Sequence, residues 1–460
     1  MYYVHDKRVA VVGLGRSGAA AARLLSVRGA QVVVTDDKPA DRVGGFLQAA
    51  KALPGVQLAL GGISAEAVLN ADLVVVSPGV PIDHDLLRQA REKGVKVIGE
   101  MELAFGYCPA PIVAITGTNG KTTTTTWLAR MLEDAGFRAV ACGNIGRAFS
   151  EAVFDLARED WAVLEVSSFQ LEAVREFKPK LAAVLNVTPD HLDRHGSMQA
   201  YAEMKARVFA NQDAEDAVVL NASDKFTPAL SGMARARKYL FGFPKEGRVN
   251  GTPGCFIAGD ALELMGARLI PLSEIGIPGP HNQENAAAAA LLAHLCGVPS
   301  ASIATTLNAF RGVEHRIEFC GEAGGVRFVN DSKGTNVDSV EKALQSFPAP
   351  IVLILGGRDK KGDFTRLLPL IRERVSRVMA IGEARPQIVE QLASEVPVVE
   401  AATLEEAVAG AFAAAQPRGT VLLSPGCASF DMFRDYEDRG RRFKAIVTEL
   451  IRKKEAARPG

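Results

Sequence analysis

The stretch AITGTNGKTTTT, from Ala114 to Thr125, decides the fold prediction because a glycine loop runs directly into lysine and threonine. The usual phosphate loop has the longer spacing G-x-x-x-x-G-K-[ST], which lets successive backbone N–H groups wrap a phosphate. Here only Thr118 and Asn119 separate Gly117 from Gly120. The stretch is therefore either a shortened phosphate loop or a threonine-rich capped turn.

The residues on either side favour the phosphate loop. PIVAI before it predicts a buried strand, and WLARMLEDAG after it predicts a helix ending at Gly136 as its C-terminal cap. A helix N-terminus that follows a strand and a glycine loop binds phosphate, because backbone N–H groups and the helix dipole converge there. Lys121 would neutralise the β and γ phosphates, and the Thr122 hydroxyl would hold Mg²⁺. We expect the short spacing to leave the backbone donors available.

A second glycine loop, GLGRSG, runs from Gly13 to Gly18 after the strand RVAVV, and Asp36 ends the next strand, VVVTD. Alone this pattern suggests a dinucleotide enzyme such as an NAD-dependent dehydrogenase, since such an acid suits an NAD ribose. Another nucleotide or a diphosphate fits equally well, and a structural turn remains an alternative. SPG, from Ser77 to Gly79, is a turn or a further phosphate-facing loop.

Short apolar runs alternate with Ala/Leu-rich amphipathic stretches along the whole chain of 460 residues, which is typical of parallel strands buried between helices. The length predicts two or three domains. The prolines of GYCPAP (106–111) predict a first linker, and Gly312 begins a second joint. The predicted strands are Arg8–Val12, Gln31–Thr35, Leu73–Ser77, Lys96–Ile98, Ile112–Thr116, Ala162–Val166, Ala182–Asn186, Val218–Asn221, Val326–Val329, Ile351–Leu355, Val378–Ile381, Val396–Val399 and Val421–Leu423.

Composition excludes some classes of partner. Lys plus Arg and Asp plus Glu number 53 each, which removes the broad positive field that nonspecific nucleic-acid binding needs. The charged opening and the lack of a long uncharged apolar run predict a cytoplasmic protein with no membrane association. The six dispersed cysteines form no Cys-x-x-Cys pair and predict reduced, mostly buried thiols.

Polar residues follow several central strands. Glu165 ends a buried strand, where a carboxylate needs a partner, either a phosphate-bound metal or a nearby Lys or Arg. His191 and His195 in TPDHLDRHGS are four apart, but Pro189 and the absent glutamate argue against a zinc helix and for a loop that contacts Mg²⁺ or phosphate, or is merely exposed. Lys205 by itself is an ordinary helical lysine.

Two further motifs leave their roles open. In HNQENAAAAA, Asn282 and Asn285 are three apart, which suits reading an adenine or ribose from one helix face, or capping a helix. In EHRIE, Arg316 suits an interdomain phosphate contact or an ordinary salt bridge.

Together these motifs resemble the Mur ligases, the ATP-dependent amino-acid ligases of peptidoglycan synthesis. The segments ITGTNGKTTT, EVSSFQLE, NVTPDHLDRHGS, YAEMKARVF, HNQENAAAA, GVEHRIE, NDSKGTN and LLSPGCASFDMF occur in the family's order and span nearly the whole chain. The resemblance implies an α/β chain of three domains. These are a Rossmann-like N-terminal domain (1–105) that binds a UDP substrate, a central P-loop-type ATP-binding domain (106–312) and a Rossmann-like C-terminal amino-acid-binding domain (313–460).

The resemblance also implies roles for individual residues. Lys121, His191 and Lys205 would be catalytic, with Lys205 carbamylated so that it can bind a second Mg²⁺. Metal ligands would be Thr122, Glu165, His191 and Lys205. ATP contacts would be Gly117, Thr118, Asn119, Gly120, Lys121, Thr122, Thr123, Asn285, Arg316 and Asp331. Substrate contacts would be Arg16, Ser17, Asp36, Asp37, Ser77, Gly79, Asn144, Gln170, Thr335, Lys360 (or its neighbour Lys361), Ser429 and Tyr436, although family members often carry phenylalanine in place of Tyr436.

Within the family, SSFQLE and the first-domain glycine loop with SPG most resemble members that join D-glutamate to UDP-N-acetylmuramoyl-L-alanine. The implied reaction is ADP-forming. ATP converts the L-alanine carboxylate into an acyl phosphate, which the D-glutamate amine attacks. The alternatives are a Mur-type ligase for L-alanine or a diamino acid, a folylpolyglutamate-type ligase, an NAD-dependent dehydrogenase and a nonenzymatic nucleotide sensor. A monomer is expected.

Overall fold

The computed structural model describes residues 2–244, 251–358 and 362–456. Its strands form three sheets, one for each predicted α/β domain. By their contacts the residues group into two compact units. The first unit contains residues 1–187, 191–274 and 284–308, and the second contains 188–190, 275–283 and 309–460. The exact domain boundaries stay predictions.

The first sheet has five parallel strands in the order β3-β2-β1-β4-β5. Its central strands are runs of valine with almost no exposed surface, because helices cover both faces. The strands are β1 (Arg8–Val12), β2 (Gln31–Asp36), β3 (Val56–Leu60), β4 (Leu73–Val76) and β5 (Lys96–Gly99). The helices are α1 (Arg16–Val27), α2 (Phe46–Lys51), α3 (Ala65–Leu69), α4 (Asp85–Glu92) and α5 (Glu100–Phe105).

The second sheet has nine strands in the order β14-β13-β12-β11-β10-β9-β6-β8-β7. The Gly/Pro-rich 242–280 region predicts irregular or antiparallel structure, and in its described part β12 pairs antiparallel with β13, and β13 with β14. The strands are β6 (Ile112–Thr116), β7 (Ala139–Gly143), β8 (Trp161–Glu165), β9 (Leu181–Val184), β10 (Ala217–Asn221), β11 (Arg237–Gly242), β12 (Gly254–Ala258), β13 (Ala261–Leu264) and β14 (Ala267–Pro271). The helices are α6 (Lys121–Asp134), α7 (Phe149–Ala152), α8 (Ser168–Leu171), α9 (Leu192–His195), α10 (Met198–Ala206), α11 (Thr227–Met233), α12 (Pro280–Leu295) and α13 (Ser300–Ala309).

The third sheet has six strands in the order β15-β16-β20-β17-β18-β19. The first strand pairs antiparallel with its neighbour and the others are parallel, and β19 is an edge strand as Pro397 predicts. The strands are β15 (Glu318–Ala323), β16 (Val326–Asn330), β17 (Ile351–Gly356), β18 (Val375–Ile381), β19 (Val398–Glu400) and β20 (Gly419–Leu423). The helices are α14 (Val337–Gln345), α15 (Leu368–Arg374), α16 (Arg385–Leu392), α17 (Leu404–Ala414) and α18 (Tyr436–Ala456).

Two predictions about the chain as a whole can be compared with these elements. All six cysteines are free thiols, and four of them are buried. Among the described residues, no helix combines the length and the apolar character that crossing a bilayer requires.

Candidate functional site

The glycine loop joins β6 to α6 as the sequence predicts. Gly117 has φ +152° and Gly120 has φ +84°, backbone conformations that side chains with a Cβ rarely adopt. Gly120 is also the N-cap of α6, and the next residue, Lys121, folds back over the loop. The Lys121 Nζ donates to the carbonyls of Gly117 at 2.8 Å and Thr118 at 2.7 Å. The ammonium group is therefore held at the helix N-terminus, where a phosphate would bind.

The backbone donors of this loop are not all left available, contrary to the sequence expectation. The Thr118 N–H donates to the Asn186 carbonyl at 3.0 Å, and the Asn119 N–H donates to the Asn186 side-chain oxygen at 2.9 Å. The first turn of a helix carries N–H groups with no intrahelical acceptor. Anion binding by backbone donors therefore falls mainly to residues 120–123.

Glu165 ends β8 with only 1% of its surface exposed. Its two carboxylate oxygens accept hydrogen bonds from the Thr122 hydroxyl and from the Asn144 side-chain amide, each at 2.7 Å. The sequence also allowed an ion pair between Glu165 and a Lys or Arg, and these two hydrogen-bond partners do not match that alternative. Instead a carboxylate and a hydroxyl meet beside the glycine loop, and such hard oxygen donors suit Mg²⁺.

The segment that follows β9 forms one turn of helix, α9, rather than the predicted irregular loop. His191 precedes this turn with φ +53°, a strained backbone that often marks functional sites. Its ring contacts Phe169 edge-on at 4.7 Å between centroids. His195 stacks on Tyr201 at 4.9 Å and lies 3.0 Å from the Ser168 hydroxyl. The short turn ends at Gly196, which limits it to four residues.

Lys205 is not the solvated helical lysine that its sequence context favours. It lies on α10 with 1% of its surface exposed, and its Nζ is 4.1 Å from the centre of the Tyr201 ring. Helix α10 packs against α8 and α9, which carry Phe169 and His195. One connected aromatic cluster (Phe169, His191, His195, Tyr201) thus joins the predicted metal-binding histidine to the buried lysine.

The two asparagines of α12 are inside the helix, so neither is an N-terminal cap. Asn285 belongs to the first unit and lies against the glycine loop, because a Cβ on Gly120 would be 2.2 Å from its side-chain oxygen. Asn282 belongs to the second unit and donates to the Pro278 carbonyl at 2.6 Å. Asn285 thus lies beside the predicted nucleotide site.

An open cavity of about 430 Å³ lies within the first unit, beside the N-terminus of α1. The first turn of α1 contains no acidic residue, and its N-cap, Gly15, makes no side-chain cap. The residues predicted to bind the UDP substrate and its sugar end all line this cavity, namely Arg16, Ser17, Asp36, Asp37, Ser77, Gly79, Asn144 and Gln170. Lys38, which the sequence reasoning missed, lines it as well.

Two of these residues, Asp36 and Arg16, also make hydrogen bonds that hold the walls of the cavity in place. The Asp36 carboxylate accepts from the Leu14 and Lys38 N–H groups at 2.5 and 2.8 Å, which fixes the glycine loop to β2. The Arg16 guanidinium donates to the carbonyls of Asn144 and Gly146 at 2.9 and 2.8 Å. The cavity wall from the second sheet is therefore tied directly to α1.

In the second unit, Asp331 follows β16 and is 3% exposed. Its carboxylate accepts from the Ser424 hydroxyl at 2.7 Å and from the Ile317 N–H at 3.3 Å. Burial raises the pKa of this carboxyl to about 6, and the nearby Arg316 opposes that shift. The two residues predicted to contact ATP in this unit are thus close enough to interact electrostatically.

The predicted amino-acid contacts of the second unit lie near the carboxyl ends of its central strands. Thr335 follows β16, Ser429 follows β20, and Tyr436 begins α18. Their loops are joined, because the Gly426 N–H donates to the Gly334 carbonyl at 2.8 Å. Lys360 and Lys361 lie outside the described residues.

A buried arginine, Arg439, organises these loops and was missed by the sequence reasoning. Its Nε donates to the Ser332 hydroxyl at 2.9 Å, and one terminal nitrogen donates to the carbonyls of Ser332 and Cys427 at 2.8 and 3.2 Å. Burial lowers the pKa of its guanidinium to about 10. An arginine in a charged C-terminal helix looks solvated in the sequence, so no local pattern indicates this role.

The acidic residues around EHRIE do not form a metal site of their own. Glu314, His315 and Glu318 bring three possible ligand atoms together. The Lys444 ammonium, however, donates to Glu314 at 3.0 Å and to Glu318 at 2.5 Å, so a cation is already present. This cluster is therefore an ion-pair network.

Three family profiles match successive parts of the chain. The Mur ligase MurD-like N-terminal domain matches residues 7–99, the Mur ligase middle domain residues 115–293, and the Mur ligase glutamate ligase domain residues 315–427. Similar proteins match over almost their entire length. A UDP-N-acetylmuramoylalanine-D-glutamate ligase of Thermoanaerobacter sp. (strain X514) is 43% identical, covering 97% of this chain and 99% of the relative. The enzyme of that description from Pelotomaculum thermopropionicum is 45% identical, covering 96% and 98%.

The chain belongs to the Mur ligase family. Within it, the chain most resembles the UDP-N-acetylmuramoylalanine-D-glutamate ligases, and like them it is a ligase. Solved structures agree on the fold. UDP-N-acetylmuramate-alanine ligase MurC from Thermotoga maritima has a TM-score of 0.61 at 22% identity, covering 97% of this chain and all of that one. A pseudomurein peptide ligase type C from Methanothermus fervidus has a TM-score of 0.60 at 19% identity.

Family membership confirms the predicted three-domain α/β architecture and removes the dehydrogenase alternative for GLGRSG. In this Mur ligase Gly18 of that loop serves close packing, because a Cβ there would be 1.8 Å from the Gly13 carbonyl oxygen. The Ser77 hydroxyl donates to that carbonyl at 2.7 Å. The individual site roles of these residues stay predictions.

Proposed function

We propose that this Mur ligase joins D-glutamate to UDP-N-acetylmuramoyl-L-alanine, with ATP converted to ADP and phosphate. The observation that carries the proposal is the arrangement around the glycine loop, where Lys121 lies at a helix N-terminus and Thr122 bonds the buried Glu165. Relatives that match over 96–97% of this chain, at 42–45% identity, are named for this reaction.

Amide formation from a carboxylate and an amine is unfavourable in water, so the L-alanine carboxylate must first be phosphorylated. Oxygen charge accumulates when the phosphoryl group is transferred and again in the tetrahedral intermediate. Fixed positive groups beside these oxygens therefore stabilise the transition states of both steps. Lys121 and the N-terminus of α6 supply this positive charge at the glycine loop. No side-chain nucleophile is needed.

Mg²⁺ bound here would screen the phosphate charges and orient the transferred group. Thr122 and Glu165 are oxygen donors that fit it, and His191 would complete this site. We propose that Lys205 is carbamylated and holds a second Mg²⁺. A carbamate replaces the ammonium with carboxylate-like oxygens, which would explain why a lysine with 1% exposure lies within an aromatic cluster.

The cavity beside α1 would hold the UDP end of the substrate. Its helix N-terminus and Arg16 suit a diphosphate, because dipole and guanidinium both favour negative charge. Asn144 lines the cavity and also bonds Glu165, so one residue connects the substrate cavity to the proposed metal site. Gln170 reaches the cavity from α8, held by its capping box with Ser167.

D-Glutamate would bind to the second unit at Thr335, Ser429 and Tyr436, together with Lys360 or Lys361. Arg439 donates hydrogen bonds to the loops that carry the first two residues, and this bracing would give the amino-acid carboxylates a rigid site. A cytoplasmic location, which the charged opening and the lack of a long apolar run predict, and a monomeric state are further parts of the proposal.

The deciding experiment measures phosphate release from ATP with Mg²⁺ and UDP-N-acetylmuramoyl-L-alanine against a panel of amino acids. We expect turnover with D-glutamate and none with L-glutamate, L-alanine or a diamino acid. Leaving out the UDP substrate is the control for uncoupled hydrolysis. Turnover with another amino acid would reassign the substrate. If no amino acid led to phosphate release, the ligase proposal would be refuted.

A further inference from the structure

The parallel pairing of β6 with β9 continues past the ends of both strands into the glycine loop. The last regular backbone bond runs from the Leu185 N–H to the Thr116 carbonyl at 2.9 Å. Beyond it, the Thr118 N–H donates to the Asn186 carbonyl at 3.0 Å. The loop is therefore an extension of the sheet on this side.

The next connection uses a side chain in place of backbone. The Asn186 side-chain oxygen accepts from the Asn119 N–H at 2.9 Å, and the Asn186 side-chain nitrogen donates to the Asn119 carbonyl at 3.0 Å. A primary amide offers the same N–H and C=O pair as a peptide group. Asn186 thus supplies one more rung of the ladder, at a residue where β9 itself has ended.

This rung fixes the residue directly before the N-cap of α6. Gly120 has φ +84°, and a Cβ there would be 2.2 Å from the Asn285 side-chain oxygen, so small movements of the loop are sterically costly. The shortened loop has few residues of its own, and the two hydrogen bonds from Asn186 hold it from outside.

We propose that Asn186 is a positioning residue for ATP, acting through the glycine loop. It holds Asn119 so that the N–H groups of residues 120–123 and the Lys121 ammonium point at the β and γ phosphates. The proposal rests on the proposed function, because it requires that the loop bind a triphosphate. Asn186 itself makes no contact with the reacting atoms in this scheme.

The test compares Asn186→Ala with Asn221→Ala. The Asn221 side-chain amide also supports the end of β9, donating to the Leu185 carbonyl at 3.0 Å, but its hydrogen bonds go to residues outside the glycine loop. Binding of the non-hydrolysable analogue adenylyl imidodiphosphate with Mg²⁺ is measured by calorimetry on the full chain. Loss of two hydrogen bonds should weaken binding about tenfold or more in Asn186→Ala. Asn221→Ala should keep the parent affinity.

Kinetics separate positioning from general destabilisation. In Asn186→Ala we expect KM for ATP to rise at least about tenfold, while KM for D-glutamate and for the UDP substrate changes less than about twofold. A similar rise in all three KM values, or equal binding of the analogue by Asn186→Ala and the parent, would overturn the inference while leaving the proposed function intact. Failure of the parent to bind the analogue would overturn both.

Asn186→Asp provides an independent readout through its pH profile. The carboxylate still accepts from the Asn119 N–H, but it faces the Asn119 carbonyl without a donor and adds negative charge beside the phosphates. Protonation restores the donor, so affinity for the analogue should rise relative to the parent as pH falls from 7 to about 5. A flat ratio across that range would contradict the clamp.

Discussion

Lys121 is the single side chain on which we expect catalysis to depend most. Its Nζ is held by two loop carbonyls and needs little reorganisation to meet phosphate oxygens. Lys121→Ala should raise the activation barrier by roughly 3 kcal/mol or more, the scale for removing one preorganised charge contact. The measurement is kcat from phosphate release, with circular dichroism to verify folding. Lys93→Ala, at an exposed lysine, is the control, and parent-like turnover of Lys121→Ala would refute the role of the loop.

Lys205 gives a second prediction, because a carbamate acts as a carboxylate. Lys205→Ala should lose nearly all activity, whereas Lys205→Glu should retain more of it by keeping an oxygen ligand, with a difference of about tenfold or more. Initial rates over a series of Mg²⁺ concentrations check this. If Lys205→Glu were no better than Lys205→Ala at saturating Mg²⁺, the lysine would serve as a cation or as packing.

Sequence reasoning found the residues whose chemistry is visible in a local motif and missed those defined by distant contacts. Lys121 and Thr122 follow the glycine loop and Glu165 ends a buried strand, and the Thr122 hydroxyl donates to the Glu165 carboxylate. Asn186 was placed at the end of a predicted strand, but nothing in NVTPD indicates that its amide bonds a loop 67 residues away. Arg439 is similar, since two of its three acceptors belong to Ser332, which is 107 residues away.

At the scale of elements, strands too were predicted only where the local sequence pattern is strong. The strands with uninterrupted Val, Ile and Leu were predicted within one or two residues, because their burial on both faces demands apolar side chains. The missed ones are half-exposed, polar or interrupted by glycine, and lie mostly toward the sheet edges, where pattern is weak. They are β3 (VQLAL), β7 (AVACG), β11 (RKYLFG) and β15 (EFCGEA). The strands β12, β13 and β14 were predicted only as a region of irregular or antiparallel structure.

Helix α5 carries the third prediction. Its buried Glu102 accepts from the backbone N–H groups of Arg175, Glu176 and Phe177 at 2.9, 2.9 and 3.1 Å, and from the Tyr2 hydroxyl at 3.0 Å. Glu102→Ala leaves those donors buried without an acceptor, which should cost roughly 3 kcal/mol of folding free energy. Urea unfolding followed by tryptophan fluorescence measures the loss.

The exposed Glu92 on α4 is the matched control for Glu102. Glu92→Ala should shift the urea midpoint very little, because surface substitutions rarely exceed about 0.5 kcal/mol. Equal midpoints for the two alanine variants would mean that the three backbone donors find other acceptors.

At the scale of the whole molecule, acid should destabilise the second unit through His281. Burial, together with the smaller effects of the nearby Lys342 and Arg316, lowers the pKa of this histidine to about 3. The unfolded chain takes up a proton below about pH 6.5 that the folded chain refuses, so stability is lost as pH falls from there toward 3. His281→Gln should recover roughly 2 kcal/mol of that loss by pH 4.5.

Thermal unfolding at pH 7 and pH 4.5 checks this prediction, with His5→Gln at an exposed histidine as the control. The difference in melting temperature between the two pH values should shrink for His281→Gln alone. An unchanged difference would mean that His281 is protonated in the folded protein.

The predicted linker at 106–111 lies between β5 of the first sheet and β6 of the second, but it does not separate two compact units. Both sheets belong to the first unit, joined by Glu102 and by the hydrogen bonds from Arg16 to the loop after β7. Composition identifies a linker from its prolines, whereas the buried carboxylate that locks the two sheets together is invisible in sequence.

This locking has a consequence for inhibitor discovery. Both walls of the 430 Å³ cavity beside α1 belong to one compact unit, so a small molecule entering it meets a surface that is already assembled. Ligands that find a preformed pocket spend little free energy on reorganising it. Fragments aimed at this cavity should therefore bind without rearranging its walls, which makes it a screening target that needs no trapped conformation.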